Sequence, residues 1–193
     1  RGLLKNPIIF NTDADVLLPN DYLQTRECDY KEHALITPYC HYLPEASSSR
    51  LQKAMEVYDQ YLCEYWHGLE YANSPYAFPS IGSTINYHVS GYCKIRGFSA
   101  KKTAGEDFYF LNKMKKIGSI SFRQVSPLHI KGRLSTRVPF GTGKSLIQLT
   151  STNLQEIQTK FSYPPRVFIL LKIWLRLAEE ICLSGNIFLP QDK

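Results

Sequence analysis

The sequence has few cysteines and no long apolar run. Its five cysteines are scattered along 193 residues without a Cys-x-x-Cys pair, so neither a disulfide framework nor a structural zinc site is predicted. A reduced, cytoplasmic setting is expected. The longest apolar run, residues 167–171, is far shorter than the roughly 20 residues of a membrane-spanning helix. At most, we expect a peripheral contact with the inner face of a membrane.

The composition is that of a globular, mildly basic protein. Hydrophobic residues make up 44% of the chain, and Lys and Arg outnumber Asp and Glu by 23 to 17, for a formal charge of +6. A chain of this length buries one core, so a single domain is expected. Its positive charge favours phosphate-bearing partners without identifying them.

Short apolar runs alternate with segments of helical periodicity, and this order predicts an α/β fold. The first run, residues 8–10, is fully apolar and suits a central strand of a parallel sheet. The predicted elements are a strand at 8–10, a helix from Pro19, a strand at 34–36, a helix near 50–66, an extended segment at 81–89, a helix at 106–117, a strand at 119–122, an irregular segment around 139–143 and a helix beyond Pro165.

Two aspartates follow the first predicted strand. Asp13 and Asp15 are two residues apart, and in an extended conformation they point to the same side. Their oxygen atoms suit Mg²⁺ or Mn²⁺, which can bridge a protein to a diphosphate. A turn or helix cap is the commoner explanation of an isolated Asp-x-Asp. The metal-site hypothesis therefore depends on the rest of the chain.

Glu106 and Asp107 follow Gly105 at the predicted start of a helix. The helix dipole favours carboxylates there, which is a sufficient structural explanation. The functional alternative is a general base, because a carboxylate can take the proton of a hydroxyl as that hydroxyl attacks a substrate. Strand, helix and strand signals separate this motif from the two aspartates, so both motifs can meet at one end of a sheet.

Basic residues cluster between His129 and Lys144. Arg133 and Arg137, with the glycines that follow, are suited to holding a diphosphate, although a solvated basic loop explains them equally well. Residues 141–145 do not make a P-loop, because its first glycine would fall on Val138. His129 is a candidate third metal ligand, although a single histidine is more often structural.

Aromatic residues occur in two places that bear on a sugar site. Tyr76 and Phe78, between two prolines, are candidates for stacking on an acceptor sugar, although internal packing is at least as common. The apolar stripe of the helix near 50–66 includes several tyrosines, and we interpret it as core packing.

Four motifs taken together, at 8–16, at 78–84, at 97–98 ahead of 104–108, and at 133–143, resemble the inverting glycosyltransferases of the large bacterial family 2, which have the GT-A fold. The resemblance implies one transferase domain over residues 1–193, with a GT-A-like, mixed but mainly parallel sheet flanked by helices. Residues 1–149 would form the catalytic and acceptor-side core, and 150–193 a helical extension.

The resemblance also assigns roles to the acidic residues. Asp13 would contact the ribose or sugar of the donor, Asp15 would bind Mn²⁺ or Mg²⁺, and Asp107 would be the base with Glu106 beside it. The implied reaction is inverting transfer of a sugar from a nucleotide-diphosphate donor to a hydroxyl of a glycan or lipid-linked acceptor, in polysaccharide or glycoconjugate assembly.

Arg133 and Arg137 would face the diphosphate, and two departures from the family pattern qualify this picture. Arg96 stands where the family often has glycine before Gly97. The family also places a nucleotide-binding βαβ half before the Asp-x-Asp strand, whereas little precedes Ile8. We therefore expect an inactive fragment, incomplete at its N-terminus, that binds donor poorly.

Two other hypotheses remain from the sequence. A noncatalytic glycan- or protein-binding module derived from such a transferase is the alternative to an enzyme. Nucleic-acid binding is disfavoured, because the basic residues are spread over several elements. The segment 166–182 combines basic and apolar residues and is a candidate for peripheral membrane contact, although such helices more often cover their own domain.

Overall fold

The computed structural model describes residues 7–26, 33–99, 105–137, 139–152 and 162–184. These ranges contain both helices and strands, so the structure has the mixed α/β class predicted from the sequence. The elements are β1 (Ile8–Phe10), β2 (Val16–Leu17), β3 (Ala34–Ile36), β4 (Tyr39–Tyr42), α1 (Ser49–Tyr71), a 3₁₀ turn (Gly82–Thr84), β5 (Ile85–His88), α2 (Val89–Lys94), α3 (Glu106–Ile117), β6 (Ile120–Phe122), β7 (Leu128–Lys131), α4 (Thr142–Ser151) and α5 (Pro165–Ser184).

The described strands form two small sheets. The first has the order β1-β5-β3-β6 and the second the order β2-β7-β4. Only β3–β6 and β4–β7 are parallel, whereas β1–β5, β3–β5 and β2–β7 are antiparallel. The prediction of a mainly parallel sheet is therefore wrong. Local sequence patterns do not report strand direction, because direction is set by where the connections lead.

Strand β1 also differs from its predicted place. It lies at one end of the described four-stranded sheet and pairs only with β5, antiparallel, with Ile9 opposite Tyr87. Ile9 is 36% exposed. The interior strands are instead β5 and β3, and the three residues of β3 are completely buried. Three apolar residues in a row do not separate an edge strand from a central one, because the pairing partners are distant in sequence.

Helix α3 forms the main core with the four-stranded sheet. Phe110, Leu111 and Met114 are completely buried and belong to the same apolar cluster as Ile36 and Ile85. The helix begins after Gly105, whose φ of 101° favours glycine, and it ends at Gly118. The predicted bounds of this helix are confirmed.

A second core lies between α1 and α4. It contains Met55 and Tyr58 from α1, and Leu146 and Leu149 from α4. Helix α1 is capped by Ser48, as the serine-rich segment predicted, and it runs to Tyr71 rather than to about 66. The boundary predicted between 149 and 150 falls inside α4.

Several connections differ from the sequence interpretation. Residues 20–23 form turns rather than the predicted start of a helix, and the extended segment at 81–89 contains a 3₁₀ turn before β5. The basic cluster is not one loop, because it begins in β7 and ends in α4. Helix α4 is not predicted by the sequence, because glycines such as Gly141 and Gly143 near its start are typical of irregular structure.

Candidate active site

Residues 13–15, here called the acidic turn, connect β1 to β2. Ala14 and Asp15 form a turn in which the Val16 N–H donates to the Asp13 carbonyl over 3.3 Å. Both aspartates are exposed. The chain between the two aspartates is therefore a turn rather than the extended conformation expected from the sequence.

Arg133 is paired with the acidic turn. Its Nη1 lies 2.8 Å from Asp15 Oδ2, and the two side chains are 59% and 47% exposed. The antiparallel pairing of β2 with β7, with Val16 opposite Ile130, brings the chain after β7 alongside the turn. An ion pair this exposed contributes about 0–1 kcal/mol to stability. The pair matters because it brings together Asp15 and Arg133, two residues that the family resemblance predicts to bind the donor.

The buried guanidinium of Arg123 holds the chain that follows the acidic turn. Arg123 is 2% exposed, and its Nη2 donates to the carbonyls of Tyr22 and Gln24, each at 2.6 Å. Its Nη1 donates to Thr37 Oγ1 at 3.1 Å, and its charge lies 4.9 Å from the centre of the Phe10 ring. Sequence reasoning missed this residue, since an arginine after a strand normally projects into solvent.

Asp107 lies half-buried in the first turn of α3. Burial raises the pKa of its carboxyl, while the Phe108 N–H, which donates to Asp107 Oδ1 over 2.8 Å, opposes this rise, and the nearby charge of Glu106 adds to it. Glu106 itself is exposed. Of the two acids, Asp107 therefore has the environment of a general base.

Gly82 joins the acidic turn to Asp107. Asn11, two residues before the turn, donates from Nδ2 to the Gly82 carbonyl over 3.0 Å. On the other side, a Cβ placed on Gly82 would lie 3.6 Å from Asp107 Oδ2. Gly82 thus lies between the candidate base and Asn11, which comes shortly before the acidic turn, although these residues are far apart in sequence.

Asp107 lines a cavity of about 1560 Å³, here called the aromatic cavity. Tyr76 and Phe78 line it too, with ring centroids 6.2 Å apart in an edge-to-face arrangement. Gly141 and Thr142, at the start of α4, lie at its border. The structure therefore places both predicted sugar-stacking rings and the candidate base around one space.

Helix α1 contributes a row of tyrosines to the aromatic cavity. Tyr61 stacks between Tyr58 and Tyr65, with centroid distances of 6.4 and 6.5 Å, and Tyr163 stacks on Tyr61 at 6.1 Å. All four rings line the cavity. The interpretation of this stripe as core packing holds for Tyr58, which is buried, but it missed the contact of the row with the cavity. Spacing along a helix identifies a face without showing what covers it.

His129 and Arg137 are less closely connected to the site. His129 is exposed on β7, and its Nδ1 lies 3.2 Å from Cys40 Sγ. Burial, followed by the charge of Asp59, raises the pKa of the Cys40 thiol, so this pair does not provide a thiolate nucleophile. Arg137 is exposed, and only its backbone N–H has a described partner, Ser135 Oγ at 3.3 Å.

In the described residues, no three His, Cys, Asp or Glu side chains form a group that could hold a metal ion. The structure therefore does not bring His129 together with Asp13 and Asp15. One or two carboxylates, completed by substrate phosphates and water, are nonetheless the common protein contribution to a Mg²⁺ site. Asp13 and Asp15 are exposed carboxylates of this kind, and Oδ2 of Asp15 is paired with Arg133 Nη1, so a divalent cation at these two residues stays a prediction.

Helix α5 packs against α1 through Phe168, which is 8% exposed and lies over Gly68. It therefore covers part of its own domain, which was the simpler expectation for 166–182. Its other face exposes large apolar side chains, namely Ile169, Leu170, Ile173, Trp174, Leu177 and Ile181. None of the helices within the described ranges is long and apolar enough to span a bilayer.

Comparisons with protein-family models, curated proteins and solved structures found no match to this chain. The likeness of the four segments to family 2 glycosyltransferases thus stays a prediction. What the structure adds is spatial: segments 8–16, 78–84 and 105–108 meet at Gly82. The segment 133–143 joins this group through Arg133, which pairs with the acidic turn, and through Gly141 at the aromatic cavity.

Proposed function

We propose that this chain carries the catalytic and acceptor-binding part of an inverting glycosyltransferase that uses a nucleotide-diphosphate sugar. The observation that carries the proposal is the position of Asp107. It is a half-buried carboxylate with a raised pKa, it lines a large aromatic cavity, and one glycine separates it from Asn11, which precedes the acidic turn by two residues.

Asp107 would act as the general base. Its carboxylate takes the proton of an acceptor hydroxyl as that oxygen attacks the anomeric carbon, and the bond from this carbon to the diphosphate oxygen breaks. Because burial favours the protonated form, the ionised carboxylate is a stronger base than an exposed aspartate. Its carboxylate accepts hydrogen bonds from backbone N–H groups, among them those of Phe108 and Gly82, which fix its orientation.

The acidic turn and Arg133 would hold the leaving diphosphate. Asp13 and Asp15 are the residues that would hold Mn²⁺ or Mg²⁺, and such an ion supplies charge stabilisation to the departing phosphate. The guanidinium of Arg133, which pairs with Asp15, offers a fork of N–H donors suited to phosphate oxygens. Arg137 is exposed on the same loop and would add a second positive charge.

The aromatic cavity would hold the acceptor. Tyr76 and Phe78 present apolar ring surfaces next to the base, and sugars pack their C–H faces on such rings. The cavity exceeds the roughly 300–1,000 Å³ of a typical small-molecule pocket. An acceptor of more than one sugar unit is thus consistent with its size.

A substitution of Asp107 by asparagine tests the enzyme hypothesis. In a form of the protein that binds a UDP- or GDP-sugar donor, assayed with Mn²⁺ and oligosaccharide acceptors, we expect this variant to release nucleoside diphosphate about 10²–10⁴ times more slowly than the same form with Asp107, since the base is lost. Donor affinity should change little. Asp15→Ala should remove the dependence on Mn²⁺, whereas Glu56→Gln, an exposed acid on α1, is the matched control.

Two results would overturn the proposal: nucleotide release that is the same in the Asp107→Asn variant and the parent, or nucleotide binding that ignores both Mn²⁺ and Asp15→Ala. The second candidate function is a noncatalytic glycan-binding module. It is favoured by the cavity lining, which includes many aromatic rings but not Asp13, Asp15 or Arg133. Such a module predicts glycan binding without any nucleotide release.

A further inference from the structure

The two lysines that line the aromatic cavity both belong to α3. Lys113 and Lys116 are one helical turn apart, and they continue a face of the helix that includes Tyr109 and Asn112. These four positions have the spacing i, i+3, i+4 and i+7, which places side chains on one side of a helix. All four line the cavity, whereas Lys115, which lies between the two lysines in sequence, does not. One face of α3 therefore forms a polar wall of the aromatic cavity.

Neither lysine is neutralised by the described part of the chain. Lys116 is exposed and Lys113 is partly buried. Neither makes an ion pair or a hydrogen bond within the described ranges. A lysine that is partly withdrawn from water is stabilised by a nearby anion, since its charge is then less well solvated. The cavity thus offers two uncompensated positive charges to its ligand, and no other described Lys or Arg lines it.

Two carboxylates also line the cavity, but they lie away from this wall or have a partner. Asp59 on α1 is 2.6 Å from Nδ1 of His41, whose side chain is 1% exposed. Asp107 lies in the first turn of α3. At 1.5 Å per residue, Lys113 and Lys116 follow it along the helix axis by about 9 and 14 Å. Salt screens exposed charges over roughly 8–10 Å, so a negative group held by the lysines is only weakly repelled by Asp107.

The chemistry of this wall selects a sugar chain that carries an anionic group. Ammonium groups on flexible stems bind phosphate or carboxylate oxygens as point charges. The amide of Asn112, next to Lys113, offers a donor and an acceptor that suit a hydroxyl. The rings of Tyr76 and Phe78 in the same cavity offer apolar surfaces for sugar packing. A neutral sugar chain would leave both ammonium groups without a counter-charge, whereas an acidic chain supplies one.

We propose that Lys113 and Lys116 select an acceptor that carries a phosphate or carboxylate group at a position remote from the hydroxyl next to Asp107. This inference rests on the proposed acceptor role of the aromatic cavity. It narrows the acceptor from sugar chains in general to acidic ones. The two lysines are then residues that determine specificity, and they take no part in the chemical step.

Ligand pairs that differ mainly in charge provide the test. Tetragalacturonate is compared with its methyl ester, and maltotetraose 1-phosphate with maltotetraose, by calorimetric titration of the 193-residue chain at low ionic strength. We expect the charged member of at least one pair to bind at least about tenfold more tightly, the effect of one hydrogen bond with a charged group. This preference should shrink in about 1 M salt, where the screening length falls to roughly 3 Å. The two pairs distinguish a carboxylate from a phosphate.

Variants of α3 make the test specific. The double variant Lys113→Gln/Lys116→Gln should reduce the preference for the charged ligand by roughly tenfold and leave the affinity for the neutral ligand unchanged. Lys113→Arg keeps the positive charge and should retain most of the preference. Lys115→Gln is the matched control, because it removes a positive charge from the same helix outside the cavity lining, and it should have no effect. Thermal melts confirm that each variant is folded.

The outcomes separate this inference from the proposed function. A preference that persists in the folded double variant, or that Lys115→Gln abolishes equally, overturns the role of the lysines and leaves the Asp107 hypothesis standing. The same holds if neither charged ligand binds more tightly than its neutral partner. Charge-selective binding that needs the two lysines, without any Asp107-dependent nucleotide release, supports the anionic subsite and overturns the enzyme hypothesis.

Discussion

Replacing Arg123 by methionine removes the buried charge that holds the chain after the acidic turn. The methionine retains most of the aliphatic volume, so the change mainly deletes hydrogen bonds. Three are lost: two to the carbonyls of Tyr22 and Gln24, both at 2.6 Å, and one to Thr37 Oγ1 at 3.1 Å. The stacking of the guanidinium over Phe10 is lost as well.

The expected cost is large because the site is 2% exposed and water cannot easily replace the arginine. A hydrogen bond with a charged partner contributes about 1.5–3 kcal/mol, and these contributions do not add fully within one network. Each of the three oxygen atoms left without its donor costs about 1–3 kcal/mol, and since these costs do not add fully we expect a loss of about 3–5 kcal/mol in the free energy of unfolding. The stability of Arg123→Lys should lie between those of Arg123→Met and the parent, because an ammonium group cannot make the same set of hydrogen bonds as the planar guanidinium.

Urea unfolding followed by circular dichroism and tryptophan fluorescence measures this loss. With a typical urea dependence of about 1–3 kcal/mol per molar, the midpoint should fall by about 2 M. Arg176→Met is the matched control, since Arg176 is 81% exposed in its pair with Glu180 and should contribute about 0–1 kcal/mol. A midpoint for Arg123→Met no lower than that of Arg176→Met would refute the assigned role of the buried network.

Three further predictions concern the base, the C-terminal helix and a helix cap. Burial raises the pKa of Asp107 above its ordinary value of 3.8, so its ionised form destabilises the fold. At pH 7 the melting temperature of Asp107→Asn should therefore be higher than that of the parent. The difference should disappear when the pH falls below 3.8, because the carboxyl is then protonated in both the folded and the unfolded state. Phe168→Ala should lower stability by about 3–5 kcal/mol in urea unfolding and release α5 from Gly68, which limited proteolysis would detect as cleavage within α5. Ser48→Ala removes the acceptor of the Leu51 N–H and should cost about 1 kcal/mol, whereas Ser48→Asp should retain most of the stability; equal melting temperatures of parent and alanine variant would contradict the cap.

The helices were largely predictable because their signals are local. The bounds of α3 were predicted by apolar spacing between Gly105 and Gly118, and the start of α1 by the serine-rich segment that supplies its cap. Strands β3 and β6 were recognised as short apolar runs. By contrast, β4 was missed, because Tyr39-Cys40-His41-Tyr42 has neither a continuous apolar run nor a clear alternation.

For the candidate site, the sequence supplied the residue types, and the tertiary structure decided which of them meet. Asp15 and Arg133 were both assigned to the donor, but their contact follows from the pairing of β2 with β7. His129 had the chemistry of a metal ligand, yet its place in the sheet puts it beside Cys40.

The sequence by itself determined the class of the fold, the principal helices and the acidic and basic motifs, since each depends on residues close together along the chain. The tertiary structure alone decided strand direction, the burial of Arg123 and His41, and the aromatic cavity. Those features depend on contacts between residues up to about a hundred positions apart, as in the hydrogen bond from Arg123 to Tyr22. No local pattern encodes such distances, because they are set by how the two sheets and α1 pack together.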